Sequence, residues 1–340
     1  MVQFAIEIKM KYELMNKYAS KKWLQIHCSY SMTEEKQPEH ELSLDSSEFI
    51  SYSCSSPIRE FTDSINEVNW EYRQGGAVEL DEAIIIIPDI FDSTNSMYLI
   101  GSALIQAGYN VIVISIPPYN SISSFMNGFD LFTAQKLISK IHLVGFGYGG
   151  YLAMSLTNFS SMSAEILSLT VISSYMDTSS FKKSGIFNSF TGKGDLHGEV
   201  LPSVSKFPAY LKPAAVFEIK ELESIPANTI SARIKMRINS PVLKTPKIDV
   251  QRMLIIQPVD WAFKMNDNAR PQKNVNGAKY VKIEQGGHLS NLANPDEVSR
   301  LLKEHLHEWH TPIPEDELDI EEEEEDNENE IEVINAPDQQ

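Results

Sequence analysis

The chain has 340 residues, 42% of them hydrophobic and 22% charged, which is the composition of a soluble globular protein. Its formal net charge is −18, but residues 313–340 contain 14 Asp and Glu and no Lys or Arg, so most of the acidity is concentrated there. Binding to nucleic acid or to an anionic membrane requires clustered Lys and Arg, and no such cluster is visible. We therefore expect no nucleic-acid partner.

The cysteine content and the N-terminus indicate the compartment. Only Cys28 and Cys54 are present, the first residues lack a basic segment followed by an apolar core, and no apolar run reaches the roughly 18 residues of a membrane span. These features predict a cytoplasmic protein without a transmembrane segment.

Alternating strand and helix patterns run through the first half of the chain. Residues 83–88 form a β-branched run without polar alternation, which is typical of a strand buried on both faces. A helix is predicted at 96–107, a strand at 109–116, a helix at 130–139 and a strand at 140–144. This order predicts an α/β fold with a mostly parallel sheet and helices on both faces.

The second half continues the pattern after a long interruption. Strands are predicted at 165–173, 252–257 and 279–284, followed by a last helix that Asn294 is positioned to cap. Residues 178–248 contain six prolines and are too long for a simple connection, so we predict a small helical cap there.

The remaining segments complete the predicted domain organisation. One α/β domain is expected at 45–312, with strands near 49–54 and 68–72. Residues 1–44 form an N-terminal extension of unassigned structure, in which a helix is predicted at 7–18. Residues 313–340 should be a disordered acidic tail, because so charged a segment buries too little apolar surface to offset the entropy of ordering.

A glycine-rich turn after the strand at 140–144 carries the main functional signal. Gly145-Phe146-Gly147-Tyr148-Gly149 fits the Gly-x-nucleophile-x-Gly elbow of hydrolases, with Gly147 at the nucleophile position. Asp260 and His288 follow the late strands, which reproduces the chain order nucleophile, acid, histidine.

The roles of these positions follow from the chemistry of acyl transfer. Asp260 would orient His288, which would take a proton from the nucleophile, while the backbone N–H of Tyr148 and one near Asp89 or Ile90 would stabilise the oxyanion. Gly147 offers no side chain to activate. We therefore interpret these residues as the remaining positions of a catalytic triad that no longer supports hydrolysis.

A further signal comes from six segments, at residues 108–119, 127–129, 140–145, 149–153, 173–181 and 187–190. Together they resemble the maspardin branch of the α/β-hydrolase superfamily. This resemblance implies an α/β-hydrolase fold and a cytosolic, partly endosome-associated protein. It also implies action through contacts with proteins, such as a late-endosomal Rab-type GTPase, rather than through turnover. Members of that branch keep a serine at the elbow and lose other triad positions, whereas this chain has Gly147 with Asp260 and His288.

Two enzymatic alternatives remain open. Gly145, Gly147 and Gly150 also satisfy Gly-x-Gly-x-x-Gly, the dinucleotide-binding fingerprint. That fingerprint normally follows the first strand of its domain and has an acidic residue about 20 positions on, whereas the nearest candidate, Asp177, lies 27 residues beyond Gly150. A weakly active hydrolase or esterase with a nucleophile other than serine is the other alternative, although neither cysteine lies near the turn.

Histidines and aromatic residues outside the elbow receive structural interpretations. His305, His307 and His310 are expected on a solvated face of the last helix, because their spacing does not align them as ligands. We therefore predict no metal and no cofactor. Most of a group of phenylalanines should pack in the core or the cap, and any that are exposed would form a protein-binding patch: Phe125, Phe129, Phe181, Phe187 and Phe190.

Overall fold

The structure, a computed structural model, describes residues 40–181, 207–260 and 269–310. The predicted helix at 7–18, the predicted tail at 313–340, Phe187 and Phe190 lie outside these residues. Within the described segments, no helix has the length and apolarity that crossing a membrane requires.

The described strands form one eight-stranded sheet. In chain order they are Ile58–Asp63 (β1), Val68–Gly75 (β2), Glu82–Ile87 (β3), Val111–Ile114 (β4), Lys140–Phe146 (β5), Glu165–Ile172 (β6), Met253–Pro258 (β7) and Lys279–Ile283 (β8). Their order in the sheet is β1-β2-β4-β3-β5-β6-β7-β8. Strand β2 pairs antiparallel with β1 and β4, and the other pairs are parallel. The carboxyl ends of β3 and β5–β8 therefore meet at one edge, called here the carboxyl edge, and their beginnings define the amino edge.

Helices cover both faces of this sheet. They are Ser47–Ser55 (α1), Tyr98–Ile105 (α2), Ile122–Gln135 (α3), Tyr148–Thr157 (α4), Lys212–Ser224 (α5), Ala227–Ile238 (α6), Pro271–Asn274 (α7), Ser290–Ala293 (α8) and Pro295–Trp309 (α9). Ile85 and Ile87 pack in the cluster that contains α3 and α4, whereas Ile84 and Ile86 pack with α2 and α9. Burial on both faces explains why β3 has no polar alternation.

One predicted element near the start of the domain is wrong, and another is a helix with different bounds. Residues 49–54, predicted as a strand, lie in α1, whose first turn is capped by Ser46 accepting a hydrogen bond from the backbone N–H of Phe49. Helix α3 begins at Ile122 instead of residue 130. Gly128 lies inside it, where a side chain would not fit because the Tyr119 hydroxyl occupies that space.

The last helix begins close to its predicted start, but it is not capped as expected. Asn294 occupies the capping position without accepting a hydrogen bond from the helix, since its side-chain amide donates to the carbonyl of Gln285. The helix is amphipathic, with Val298, Leu302 and Leu306 fully buried. His305 is also fully buried, so its predicted place on a solvated face is wrong.

Helices α5 and α6 are the described part of the segment predicted as a cap. They lie between β6 and β7 in the chain, and residues 182–206 of the predicted cap lie outside the described residues. Buried charged side chains of both helices contact the loop that follows β3. They are Glu218 and Glu221 of α5 and Arg233 of α6.

Candidate active site

The turn between β5 and α4 has the backbone geometry of a nucleophile elbow. Gly147 has φ 49° and ψ −116°, a conformation that side-chain-bearing residues rarely adopt. A Cβ on Gly145 would lie 2.4 Å from the Cα of Gly150, and one on Gly149 would lie 2.1 Å from the carbonyl oxygen of Ile87. The flanking glycines are therefore needed for the sharp bend, as the sequence pattern predicts.

The space above Gly147 is filled by the carboxyl group of Asp89, which follows β3. A Cβ on Gly147 would lie 2.2 Å from Cγ of Asp89 and 2.3 and 2.4 Å from its two oxygens. Such distances are shorter than any that real side chains tolerate, so no residue other than glycine fits at position 147 while Asp89 keeps this position. The carboxyl group thus stands where the side chain of an elbow nucleophile would begin.

Asp89 also occupies the backbone donors that the sequence predicts to form an oxyanion hole. Its Oδ1 accepts hydrogen bonds from the backbone N–H of Tyr148, at 2.6 Å, and from that of Ile90, at 2.7 Å. The N–H of Asp89 itself donates to Asp92 Oδ2 at 3.2 Å. The two N–H groups therefore converge on one oxygen, as they would on the oxyanion of a tetrahedral intermediate, but that oxygen belongs to the protein.

Asp260 follows β7 and lies at the same edge, held mainly by backbone groups. Its Oδ1 accepts from the N–H of Gly287 at 2.8 Å, and its Oδ2 accepts from the N–H of Gly286 at 3.3 Å and from the Tyr210 hydroxyl. Burial raises the pKa of Asp260, and these backbone bonds and the charge of His288 oppose that shift. The carboxylate is thus an anchor for the loop after β8.

His288 lies in that loop and completes the predicted set at the carboxyl edge. Its imidazole is half-buried, its ring centroid lies 6.0 Å from that of Phe207, and it is close enough to Asp260 to influence the pKa of that group. The structure therefore brings Gly147, Asp260 and His288 to one edge.

A buried arginine of α6 fastens the predicted cap to this edge. Arg233 donates from Nε to the carbonyl of Ile116 at 2.6 Å and from Nη1 to the carbonyls of Ile90 and Asp92 at 3.1 and 3.3 Å. Its Nη2 donates to Ser115 Oγ at 2.8 Å. Burial lowers the pKa of this guanidinium to about 10, so the side chain remains charged near neutral pH. Helix α6 is therefore bonded to the loop that carries Asp89.

A cluster of buried acids holds α5 against the same loop. Ser93 Oγ donates to Glu221 at 2.5 Å and Ser96 Oγ donates to Glu218 at 2.9 Å. Burial, together with repulsion from Asp89, raises the pKa of Asp92 to about 7, and burial and Asp92 raise the pKa of Glu218 well above its usual range. Burial therefore favours the protonated forms of the neighbouring Asp92 and Glu218.

Tyr148 and the described phenylalanines pack inward. The Tyr148 hydroxyl lies 2.9 Å from Ser240 Oγ, and its side chain is fully buried, away from the space above Gly147. Phe125 and Phe129 are fully buried beside Trp70, and Phe181 is also buried. Among the described residues, these three phenylalanines therefore do not form an exposed protein-binding patch.

The turn differs in position from a dinucleotide-binding turn. It follows β5 rather than the first strand, and the N–H of Tyr148 at the start of α4, which would face a pyrophosphate, donates to Asp89. Asp177 accepts from the N–H and hydroxyl of Ser179.

Sequence reasoning missed the residues that decide the state of this site. The sequence patterns indicate Asp89 only through its backbone N–H, and they do not indicate Arg233, Glu218 or Glu221. The available signal was charged residues at positions of α5 and α6 that share a face with apolar residues such as Phe217 and Ile230, because buried charges need partners.

The comparisons with known proteins agree with this architecture. No protein-family model matches the sequence. The chain is 25% identical to maspardin of Danio rerio over 246 residues, which cover 71% of this chain and 79% of that protein. It is 24% identical to maspardin of Homo sapiens over 246 residues, covering 71% of this chain and 80% of that protein.

Solved hydrolase structures share the fold at low sequence identity. A thermophilic esterase from Thermogutta terrifontis superimposes with a TM-score of 0.60 at 14% identity, covering 75% of this chain and 99% of that one. A hydrolase from Pseudomonas aeruginosa gives 0.59 at 14% identity, covering 74% and 98%. The chain therefore has the α/β-hydrolase fold, as predicted, and is similar in sequence to maspardin over most of its length.

Proposed function

We propose that this chain is a maspardin-like protein of the α/β-hydrolase fold that has lost catalysis and acts by binding other proteins. The observation that carries the proposal is the position of Asp89. Its carboxyl group fills the space of the missing nucleophile and accepts hydrogen bonds from the N–H groups of Tyr148 and Ile90. A substrate carbonyl would have to displace a charge-assisted acceptor to reach the oxyanion donors, which removes the electrostatic stabilisation on which acyl transfer depends.

The contacts of α5 and α6 with the Asp89 loop support the same conclusion. Arg233 donates hydrogen bonds to the carbonyls of Ile90 and Asp92. Glu221 and Glu218 accept hydrogen bonds from Ser93 and Ser96, which follow in the same loop. An enzyme needs this edge to admit a substrate, whereas a binding protein gains from a fixed surface with little conformational entropy to lose.

The partner to test first follows from the similarity to maspardin. We propose a Rab-type GTPase of late endosomes as the partner, with this chain residing in the cytoplasm and associating peripherally with endosomal membranes. Immobilised full-length chain should retain the GTP-loaded or the GDP-loaded GTPase in preference to the other. Equal retention of both forms and of an unrelated GTPase would count against a specific complex.

Loss of catalysis is tested by rebuilding the site in two steps. Wild-type protein and Gly147→Ser should not hydrolyse short p-nitrophenyl esters above background, because the wild type has no nucleophile at position 147 and the serine of the variant clashes with the Asp89 carboxyl group. Gly147→Ser combined with Asp89→Ala should exceed Gly147→Ser alone by about 100-fold, the order of magnitude that oxyanion donors supply. Adding His288→Ala to the double variant should remove the gain.

Asp89 itself gives the second candidate, a hydrolase with a carboxylate nucleophile. With Oδ1 held by two N–H groups, Oδ2 would attack a saturated carbon and expel its leaving group. Water activated by His288 would then cleave the resulting ester at the carboxyl carbon. Saturable wild-type turnover of an alkyl halide or ester that disappears in both Asp89→Asn and His288→Ala would establish this candidate and overturn the non-catalytic proposal.

A further inference from the structure

A second cluster of ionisable side chains lies at the amino edge of the sheet, away from the elbow. Glu82 is the first residue of β3, and His142 is in β5, where it lies opposite Ile84. His310 directly follows α9. Residues far apart in the chain are therefore brought together by strand pairing and by the last helix.

The three side chains point their potential ligand atoms at one another. Nε2 of His142 lies 3.0 Å from Oε1 of Glu82, and Nδ1 of His310 is hydrogen-bonded to the same oxygen. All three atoms lie within 4.8 Å of one another, and this is the one such group of metal-ligating side chains within residues 40–181, 207–260 and 269–310. Glu82 and His142 are buried, whereas the His310 side chain is 24% exposed, which leaves a route from solvent.

Hydrogen bonding outside the cluster sets the orientation of one imidazole. Nδ1 of His142 lies 2.7 Å from Oγ of Ser168, which pairs with it across β5 and β6. If Nδ1 donates to Ser168, the lone pair of Nε2 points at Glu82, which is how a metal-bound histidine is usually held by its second nitrogen.

Two imidazoles and one carboxylate are a zinc donor set with a fourth position available to water. We propose that Glu82, His142 and His310 bind Zn²⁺ or a chemically similar divalent transition-metal ion. Without a cation, each of the two imidazole nitrogens needs its own proton to face the same carboxylate oxygen, and one cation replaces both. Binding would fasten the end of α9 to β3 and β5.

The test is zinc titration of the full-length chain after chelator treatment. Calorimetry should show one tight site per chain, and the melting temperature should rise with zinc concentration, because the ion binds the folded state. His310→Gln should weaken the tight site by at least 100-fold. His307→Gln, at an exposed position of α9 close to His310, should leave zinc binding unchanged. Mg²⁺ and Ca²⁺, which prefer oxygen ligands, should not substitute.

A second pair of variants tests the role of the hydrogen bond to His142. Ser168→Ala should weaken zinc binding about 10- to 100-fold. Ser174→Ala, which removes a hydrogen bond to the Gly147 carbonyl at the carboxyl edge, should not affect it. Absence of a tight site in wild-type protein would overturn the proposal, as would undiminished binding in folded His310→Gln. The partly exposed position of His310 after the helix makes that variant the one best suited to remain folded.

Discussion

The two edges of the sheet bring ionisable groups together in different ways. At the carboxyl edge, a strained turn leaves space above Gly147, and the Asp89 carboxyl group fills this space. The loop that carries Asp89 is bonded to Arg233 of α6, in the predicted cap. At the amino edge, Glu82 and His142 lie on ordinary strand backbone, and His310 remains partly open to solvent. A motif that is easy to recognise can thus mark a filled site, while residues without a motif can assemble an accessible set of ligands.

The largest expected change in stability comes from Arg233, which holds the cap helix α6 at the carboxyl edge. Arg233→Met should lower the free energy of unfolding by about 3–5 kcal/mol, because buried carbonyls of Ile90, Asp92 and Ile116 lose their donors. Chemical denaturation followed by circular dichroism measures the change. Arg300→Met, whose ion pairs on α9 are exposed, is the matched control and should change stability little. Equal changes in the free energy of unfolding for the two variants would show that Arg233 does not hold α6 against the loop after β3.

Because Gly147 and Asp89 are in contact, the changes in unfolding free energy caused by substitutions at these two positions should not add. Gly147→Ala should cost about 1–3 kcal/mol, from strain at positive φ and from the clash with Asp89. In an Asp89→Ala background the cost should fall, giving a coupling of about 1 kcal/mol or more in a double-mutant cycle.

Gly108 is a control that separates the cost of backbone strain from the cost of the steric clash with Asp89. Gly108 has φ +88°, and a Cβ at this position would meet nothing within 4 Å, so Gly108→Ala should carry strain alone and show no coupling to Asp89→Ala. Additive costs at Gly147 and Asp89 would mean that the carboxyl group readily moves aside.

The last prediction is a pH dependence of stability at the carboxyl edge. The pKa of Asp92 rises from 3.8 to about 7 on folding, so the unfolded chain releases this proton at lower pH than the folded one. The stability contributed by protonated Asp92 is thus fully present below about pH 4 and is lost as pH rises towards 7. Denaturation midpoints at pH 5, 6, 7 and 8 should show Asp92→Asn gaining stability relative to wild type as pH rises. A constant difference would contradict this assignment.

Local patterns predicted the fold more completely than they predicted the state of the site. The β-branched run of β3 and the glycines of the elbow depend on neighbours in sequence, so strand burial and turn geometry could be inferred. The occupant of the elbow could not, because Asp89 reaches Gly147 from another strand. His310 likewise meets its partners only after α9 has packed, which spacing within one helix does not reveal.

The position of Asp89 also restricts the mutational routes open to this protein. A serine introduced at position 147 would meet the Asp89 carboxyl group, and removal of that carboxyl group alone would leave the N–H groups of Tyr148 and Ile90 without their acceptor. Each single change is therefore expected to be harmful, and only the two together would reopen the site. Selection that acts on one substitution at a time is therefore not expected to convert this chain into a serine hydrolase.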